Sequence, residues 1–268
     1  MITILPTEFL GSPIGGWQKA AVIYDTDSTF DIQRLRQLLL SRVADILPQD
    51  SAKHLALAAL KRVHVFQPTS STQLAATLTN FPKYHMTSIL NEDVGLVAVD
   101  SVSSFYWPDR FTMEQLNSAT AQHGTFHTPN SFQYILTALQ KLRLSYGAVI
   151  VLTNWGLNPF TRSTDNSAPT TLYKQHIKPF PIITLTDSNR IPFNEASLPL
   201  MHHITLCFVS IAPSLLLADL ETEEAQYRSK IVTNSEILGI IRSRGSSRVG
   251  RFTFGVRDDE VVIGSGRQ

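Results

Sequence analysis

Apolar residues fall into two patterns along this chain, short continuous runs and stretches spaced by threes and fours. Five runs rich in Val and Ile occupy residues 21–24, 63–66, 95–99, 148–152 and 204–209. Runs without polar alternation predict strands buried on both faces, as in a parallel sheet covered by helices. Between them Ile32, Leu35, Leu39, Val43 and Ile46 recur at helical spacing, opening after Asp31 and closing before Pro48. A second helical stretch carries Phe132, Leu136, Leu139, Leu142 and Tyr146, with Ser131 as N-cap and Gly147 as the stop. A third covers residues 74–78, preceded by Ser70 and Gln73 at capping-box spacing. This alternation predicts an open α/β sheet, an architecture that places ligands at the carboxyl ends of its strands.

The C-terminal stretch breaks the alternation. Residues 248–253 and 260–263 predict two strands around Arg257-Asp258-Asp259, a hairpin on the sheet's edge. Residues 107–130 and 156–181 predict long loops. No internal repeat or linker divides the sequence, so a single domain over residues 1–268 is expected.

Composition adds mainly exclusions. A chain of 268 residues, 43% apolar and 17% charged, has material for a core and is neither disordered nor collagen-like. Twenty-three Lys and Arg against twenty-two Asp and Glu leave a formal charge of +1, so any affinity for nucleic acid must come from local clustering. The single Cys, Cys207, lies in an apolar run, reads as a small buried hydrophobe and fits a reducing compartment. The N-terminus lacks the character of a secretory signal or transit peptide, and residues 204–220 are broken by Ser210, Pro213 and Ser214. No export and no membrane contact are expected.

Candidate chemistry sits where two apolar runs end. Val22-Ile23-Tyr24-Asp25-Thr26-Asp27 and Gly95-Leu96-Val97-Ala98-Val99-Asp100-Ser101 both deliver carboxylates to the expected carboxyl edge. In a nucleotide-binding sheet such an Asp holds magnesium, while a residue on the neighbouring strand orients the attacking water. The competing reading makes Asp25, Asp27 and Asp100 caps of the helices that follow.

The wider pattern is more specific. Asp100-Ser101-Val102-Ser103-Ser104-Phe105-Tyr106-Trp107-Pro108-Asp109-Arg110 follows Asp25-Thr26-Asp27 and Phe30-Asp31-Ile32 in order, with Val149-Ile150-Val151-Leu152-Thr153-Asn154 after them. Together these resemble the RecA-like recombination paralogues of eukaryotes, over residues 21–263. The resemblance implies a RecA-like, mostly parallel sheet with helices on both faces and a C-terminal β-hairpin. It implies DNA repair by homologous recombination in the nucleus, beside other recombinase paralogues, the one lettered D above all, and on single-stranded or branched DNA. Asp100, Ser101 and Asp27 then stand where the family keeps its nucleotide and magnesium residues, although active members place Glu at the position of Asp27.

One departure changes the expected chemistry. The family's phosphate loop, G-x-x-x-x-G-K-[ST], does not occur, and Gly11-Ser12-Pro13-Ile14-Gly15-Gly16 lacks its Lys and Ser/Thr and reads as a turn. The family's first strand and phosphate-loop helix are expected to be missing, leaving the fold N-terminally incomplete and neighbouring strands with unpaired backbone groups. No catalytic residue, metal or cofactor is expected, and ATP with magnesium returns only if an upstream phosphate loop exists. The alternative is a DNA-binding ATPase whose loop has been lost from the sequence.

Basic residues cluster late, at Arg228, Lys230, Arg242, Arg244, Arg248, Arg251 and Arg257. Among them Arg242, Arg244, Arg248 and Arg251 are candidates for backbone phosphates of DNA, against the reading of a solvated or partner-facing patch. Arg162, Lys174 and Lys178 are added by position, since the corresponding loop in RecA-like proteins faces DNA. The pair His123 and His127 lacks the helical setting of a metal site, and His202 and His203 are expected on opposite faces of a strand. Phe105, Tyr106 and Trp107 are expected in a core or subunit interface rather than stacked on bases.

Overall fold

A computed structural model describes residues 1–90, 92–120, 131–157, 174–175, 202–208, 237–243, 246, 248–257 and 260–264. The chain opens with a tight pair, β1 (Glu8–Phe9) against β2 (Ser12–Pro13), turned by Leu10 and Gly11 at positive φ. Then come β3 (Ala20–Asp25), α1 (Ile32–Ala44), α2 (Gln49–Leu60), β4 (Val63–Phe66), α3 (Ser71–Ser88) and β5 (Val94–Asp100). Next are α4 (Tyr106–Thr120), α5 (Ser131–Tyr146), β6 (Val149–Leu152), and the short pair β7 (Gly156–Leu157) with β8 (Lys174–Gln175). These elements make one compact unit; β9 (His202–Phe208), β10 (Ile237–Ser243), β11 (Val249–Val256) and β12 (Val261–Gly264) belong to a second.

The first unit is an α/β layer structure. Its sheet is parallel, with strand order β4-β3-β5-β6. Side chains alternate between two apolar clusters, as the pleat requires. Val22, Tyr24, Val97 and Val99 pack with Leu74, Leu78 and Phe81 of α3 and with Ile135, Leu136 and Leu139 of α5. Ala21 and Leu96 pack on the other face with Leu39 and Val43 of α1, Leu55, Ala56 and Ala59 of α2, and Ile4 and Leu5. Helices therefore lie on both faces, which is compatible with a RecA-like fold.

Local signals explain several boundaries. Asp31 caps α1, accepting hydrogen bonds from the amides of Gln33 and Arg34. Ser70 caps α3, accepting from the Gln73 amide, and the Gln73 side chain in turn accepts from the Thr69 amide. Gly147, at φ +62°, closes α5 in the left-handed region. The helix α3 continues past the expected stretch to Ser88, carrying Pro82 within it. The helix α2 escapes the spacing reading because its inward face is Ala52, Leu55, Ala56 and Ala59, small residues that give a weak apolar signal.

Three expectations are corrected. Residues 204–209 do not supply a fifth parallel strand, because β9 pairs antiparallel with β10 from Phe208↔Ile237 to His202↔Ser243. The C-terminal hairpin is real as β11 and β12 but belongs to a four-stranded antiparallel sheet, order β12-β11-β10-β9. Residues 107–130 are not wholly a loop: α4 runs to Thr120, with Pro108 tolerated in its first turn and Arg110 paired to Glu114 one turn on. Within the parallel sheet β5 bonds to β3 on one side and to β6 on the other, and among the described residues β6 has no strand on its outer edge.

The cover is nevertheless uneven. Register places Val149 and Val151 of β6 on the same face as Leu96 and Ala98, yet they are 48% and 43% exposed. The three tryptophans, Trp17, Trp107 and Trp155, are all exposed by about half. No described helix is long and apolar enough to cross a membrane.

Two buried polar groups yield predictions. Tyr24 is fully buried and stacked on Phe66 at 5.2 Å, its hydroxyl has no partner, and burial holds its ionisation far above the ordinary value. Replacing it, Tyr24→Phe removes an unpaired hydroxyl and is expected to stabilise the chain by about 1 kcal/mol in urea denaturation. A loss of stability would mean the hydroxyl is bonded. The imidazole of His64 has Tyr84 at 3.0 Å from Nδ1 and nothing on Nε2; burial lowers its pKa, with the Glu92 charge opposing that shift. The fold prefers neutral His64, so its contribution is complete above about pH 6.5 and is lost as pH falls through the lowered folded value. The fall in melting temperature from about pH 7.5 to about pH 5 should be smaller in His64→Phe than in the unaltered chain.

Candidate functional site

The carboxyl edge of the parallel sheet gathers the strand-end residues. Register sets Asp25 beside Asp100, and the Thr26 amide donates to the Asp100 carbonyl at 2.8 Å. From β6, the Thr153 hydroxyl donates to the Asp100 carboxylate, while the Val102 amide donates to the Thr153 carbonyl at 3.0 Å. The ends of β3, β5 and β6 are therefore tied to one another through side chains and backbone alike.

The three carboxylates are not equivalent. Asp25 is 1% exposed and accepts from the Thr29 amide at 3.0 Å and from Gln67 Nε2 at 3.1 Å, which makes it a fastener of the loop after β3. Asp27 lies mostly in solvent, accepting from the hydroxyls of Ser104 and Thr26 and from the Ser101 amide at 3.3 Å. Slight burial pushes its pKa up, but the Ser104, Thr26 and Ser101 hydrogen bonds outweigh this and leave it below the ordinary carboxylate value. Asp100 is exposed at the end of β5. None of the three caps a helix directly, and the residue that caps α1 is Asp31.

Bonded to these carboxylates and to each other is a row of hydroxyls, of which only Ser101 is a candidate from the sequence. Ser103 is wholly buried; its hydroxyl donates to Asn154 Oδ1 at 2.6 Å and accepts from the Trp155 amide at 2.9 Å. Ser101 and Ser104 hydroxyls lie 3.2 Å apart, and Thr26 bonds the Ser101 carbonyl at 2.7 Å. The signal was present as Ser101, Ser103 and Ser104 directly after a buried strand, with Thr153-Asn154 after the next.

A nucleotide with magnesium fits this edge only in part. Magnesium takes one or two carboxylates and completes its shell with water and phosphates. Asp100, beside Thr153, suits the first requirement, but among the described residues no cluster of three metal-binding side chains forms. Among the described residues nothing supplies a phosphate cradle: Gly11 turns β1 into β2, and Gly16 lies where an added Cβ would collide with the Leu5 carbonyl. The glycine cluster serves packing and turning. No step through a nucleotide is derived from these residues.

Of the basic candidates, Arg242 and Arg251 share one face of the antiparallel sheet, since Arg242 pairs with Val249 and Ile240 with Arg251. Arg242 and His203 are both half-buried, and burial first and the Arg242 charge second lower the pKa of His203; Arg251 and Arg248 are exposed. Arg257 is ion-paired with Glu260 at 2.7 Å. Lys174 lies on β8. Arg162, Lys178, Arg244, Arg228 and Lys230 lie outside the described residues, as do His123 and His127. His202 and His203 do face opposite sides of β9. Phe105 and Tyr106 pack against the core beneath α3 and α5, whereas Trp107 is 60% exposed.

Taken together, an open parallel sheet, helices on both faces and an acidic, hydroxyl-rich carboxyl edge define an α/β layer protein compatible with a RecA-like fold. No family model matches the chain. Over 176 residues it is 24% identical to a DNA repair protein XRCC2 homolog from Arabidopsis thaliana, a match covering 56% of this chain and 47% of that protein. The chain thus spans about half the length of the curated relative it matches, and the relationship is distant.

The hydroxyl row gives a test of the edge itself. Ser103→Ala removes the partner that the Trp155 amide and the Asn154 side chain find in the core, and is expected to cost about 1–3 kcal/mol of stability by chemical denaturation. A change below about 0.5 kcal/mol would show that the β5 and β6 ends are not held together here.

Proposed function

We propose that this chain acts in DNA repair by homologous recombination, as a non-catalytic RecA-like subunit of a recombination-mediator complex, similar in role to X-ray-repair cross-complementing protein 2. One observation carries the reading: a parallel sheet brings Asp100 and Asp27 to a bonded carboxyl edge, while the sequence contains no G-x-x-x-x-G-K-[ST] to hold a triphosphate. The distant match to the Arabidopsis repair protein supports the same direction. In this role the chain works in the nucleus, holds another recombinase paralogue, the one lettered D first, and helps the recombinase act on single-stranded or branched DNA. Arg242, Arg248 and Arg251 are its candidate contacts to DNA phosphates, joined by Arg244, Arg162, Lys174 and Lys178.

A second reading is a DNA-binding ATPase whose phosphate loop is contributed from outside these 268 residues. The exposed Val149 and Val151 favour it, because a parallel sheet normally carries helices over both faces and a further helix would cover them. Translating the genomic sequence upstream of Met1 and finding that motif in frame would favour this second reading over the first.

The experiment is co-purification with recombinase paralogues, paired with ATP binding. Asp100→Ala is expected to leave assembly intact, and the purified chain to show no micromolar affinity for ATP with magnesium. Reversing charge at Arg248 and Arg251 together is expected to weaken single-stranded DNA capture by about tenfold or more at moderate salt. Micromolar ATP binding, or loss of function in a folded Asp100→Ala chain, would overturn the non-catalytic role.

A further inference from the structure

A cavity of about 190 Å³ opens where α4 leaves the sheet, between the first turn of α3 and the start of α5. Phe105, Tyr106, Met113 and Phe132 supply its apolar walls, and Asp109 and Ser71 its polar ones. Its volume is that of about one large side chain, and interior cavities of this size are otherwise closed by packing.

Three features define what fits. The walls are aromatic rings and a thioether, surfaces that favour another ring in offset or edge contact. The Asp109 carboxylate takes a hydrogen bond from Ser71 Oγ at 2.8 Å through one oxygen, and its second oxygen remains a further acceptor. Burial raises the pKa of Asp109, with the Ser71 bond opposing, so an added donor would relieve a partly desolvated group. The neighbouring cation is engaged elsewhere: Arg110 pairs with Glu114 at 2.8 Å and lies over the Trp107 ring at 5.7 Å.

Arg110 lines the cavity, and the same helix exposes Trp107 and Phe111, one turn apart and 60% and 61% accessible. Exposed Trp and Arg beside a pocket are the residues that dominate protein contacts.

We propose that this pocket receives a tyrosine side chain presented by a partner protein, its ring among Phe105, Tyr106, Met113 and Phe132 and its hydroxyl donating to Asp109. A phenylalanine satisfies the walls but leaves the carboxylate unanswered, and a lysine answers the carboxylate but offers the rings only a narrow aliphatic stem. The inference stands apart from the recombination reading, since it uses none of the strand-end carboxylates.

The test uses the full chain labelled with ¹³C at the methionine methyls, where Met113 reports the pocket and exposed Met86 serves as the control. N-acetyl-tyrosinamide, N-acetyl-phenylalaninamide and N-acetyl-lysinamide are titrated separately. The tyrosine probe is expected to shift Met113 alone, saturating at millimolar concentration and binding about tenfold tighter than the phenylalanine probe. Asp109→Leu should remove that tenfold difference while leaving phenylalanine binding in place. Equal affinity for tyrosine and phenylalanine, preference for lysine, or no movement of Met113 up to about 20 mM probe would overturn the proposal. The comparison of probes on the unaltered chain decides it even if the variant does not fold.

Discussion

The pairing of β5 on both of its edges governs the rest of the first unit. Because β3 bonds it on one side and β6 on the other, the backbone groups of residues 96–99 are consumed within the sheet, and the chain can turn away only at Asp100. At that point three strand ends arrive level with one another, and polar side chains with no further ladder to join bond across the gaps. Thr26 reaches Ser101, Thr153 reaches Asp100, and Ser103 reaches the segment after β6. The edge chemistry is thus a product of the sheet's register, and a one-residue slip of β6 would carry Ile150 and Leu152 out of the α5 side of the core.

This dependence separates what the sequence could disclose from what it could not. Four apolar runs disclosed the parallel strands: β3 and β5 are covered on both faces and show no alternation, and β4 and β6 carry the same Val-rich composition although Val65, Val149 and Val151 are exposed. The same reasoning failed at residues 204–209, where β9 is equally rich in Ile, Leu and Phe yet pairs antiparallel, with Ile204 and Leu206 about half exposed. An apolar run records a preference for strand geometry and says nothing about the direction of its neighbour. The helix α4 was hidden for a different reason: its large apolar residues Trp107 and Phe111 face solvent while the charged Asp109 and Arg110 share the inward face with Tyr106 and Met113, so no apolar stripe marks it as helical.

At the carboxyl edge, residue type announced the acids but not their separate fates. Asp25, Asp27 and Asp100 stand in similar strand-end settings, yet Asp25 is enclosed and fully used by Thr29 and Gln67, while Asp27 is held by hydroxyls from the loop after β5. Only the positions of Gln67, 42 residues away, and Ser104, 77 away, distinguish them, and such long-range partners leave no periodic trace in sequence. The glycines near the start were readable as a turn because they lack the Lys and hydroxyl that a phosphate cradle needs, and Gly16 has a plain steric reason to be glycine.

The half exposure of all three tryptophans has an optical consequence. Indole rings already bathed in water emit at long wavelength in the native state, so unfolding changes the colour of this chain's fluorescence little. One ring stands on α4, one directly after Asn154 and one beside the first turn of the chain, where an arriving molecule would displace water from them. Intrinsic emission is therefore a weak reporter of global melting in this molecule and a sensitive one of whatever settles on its surface.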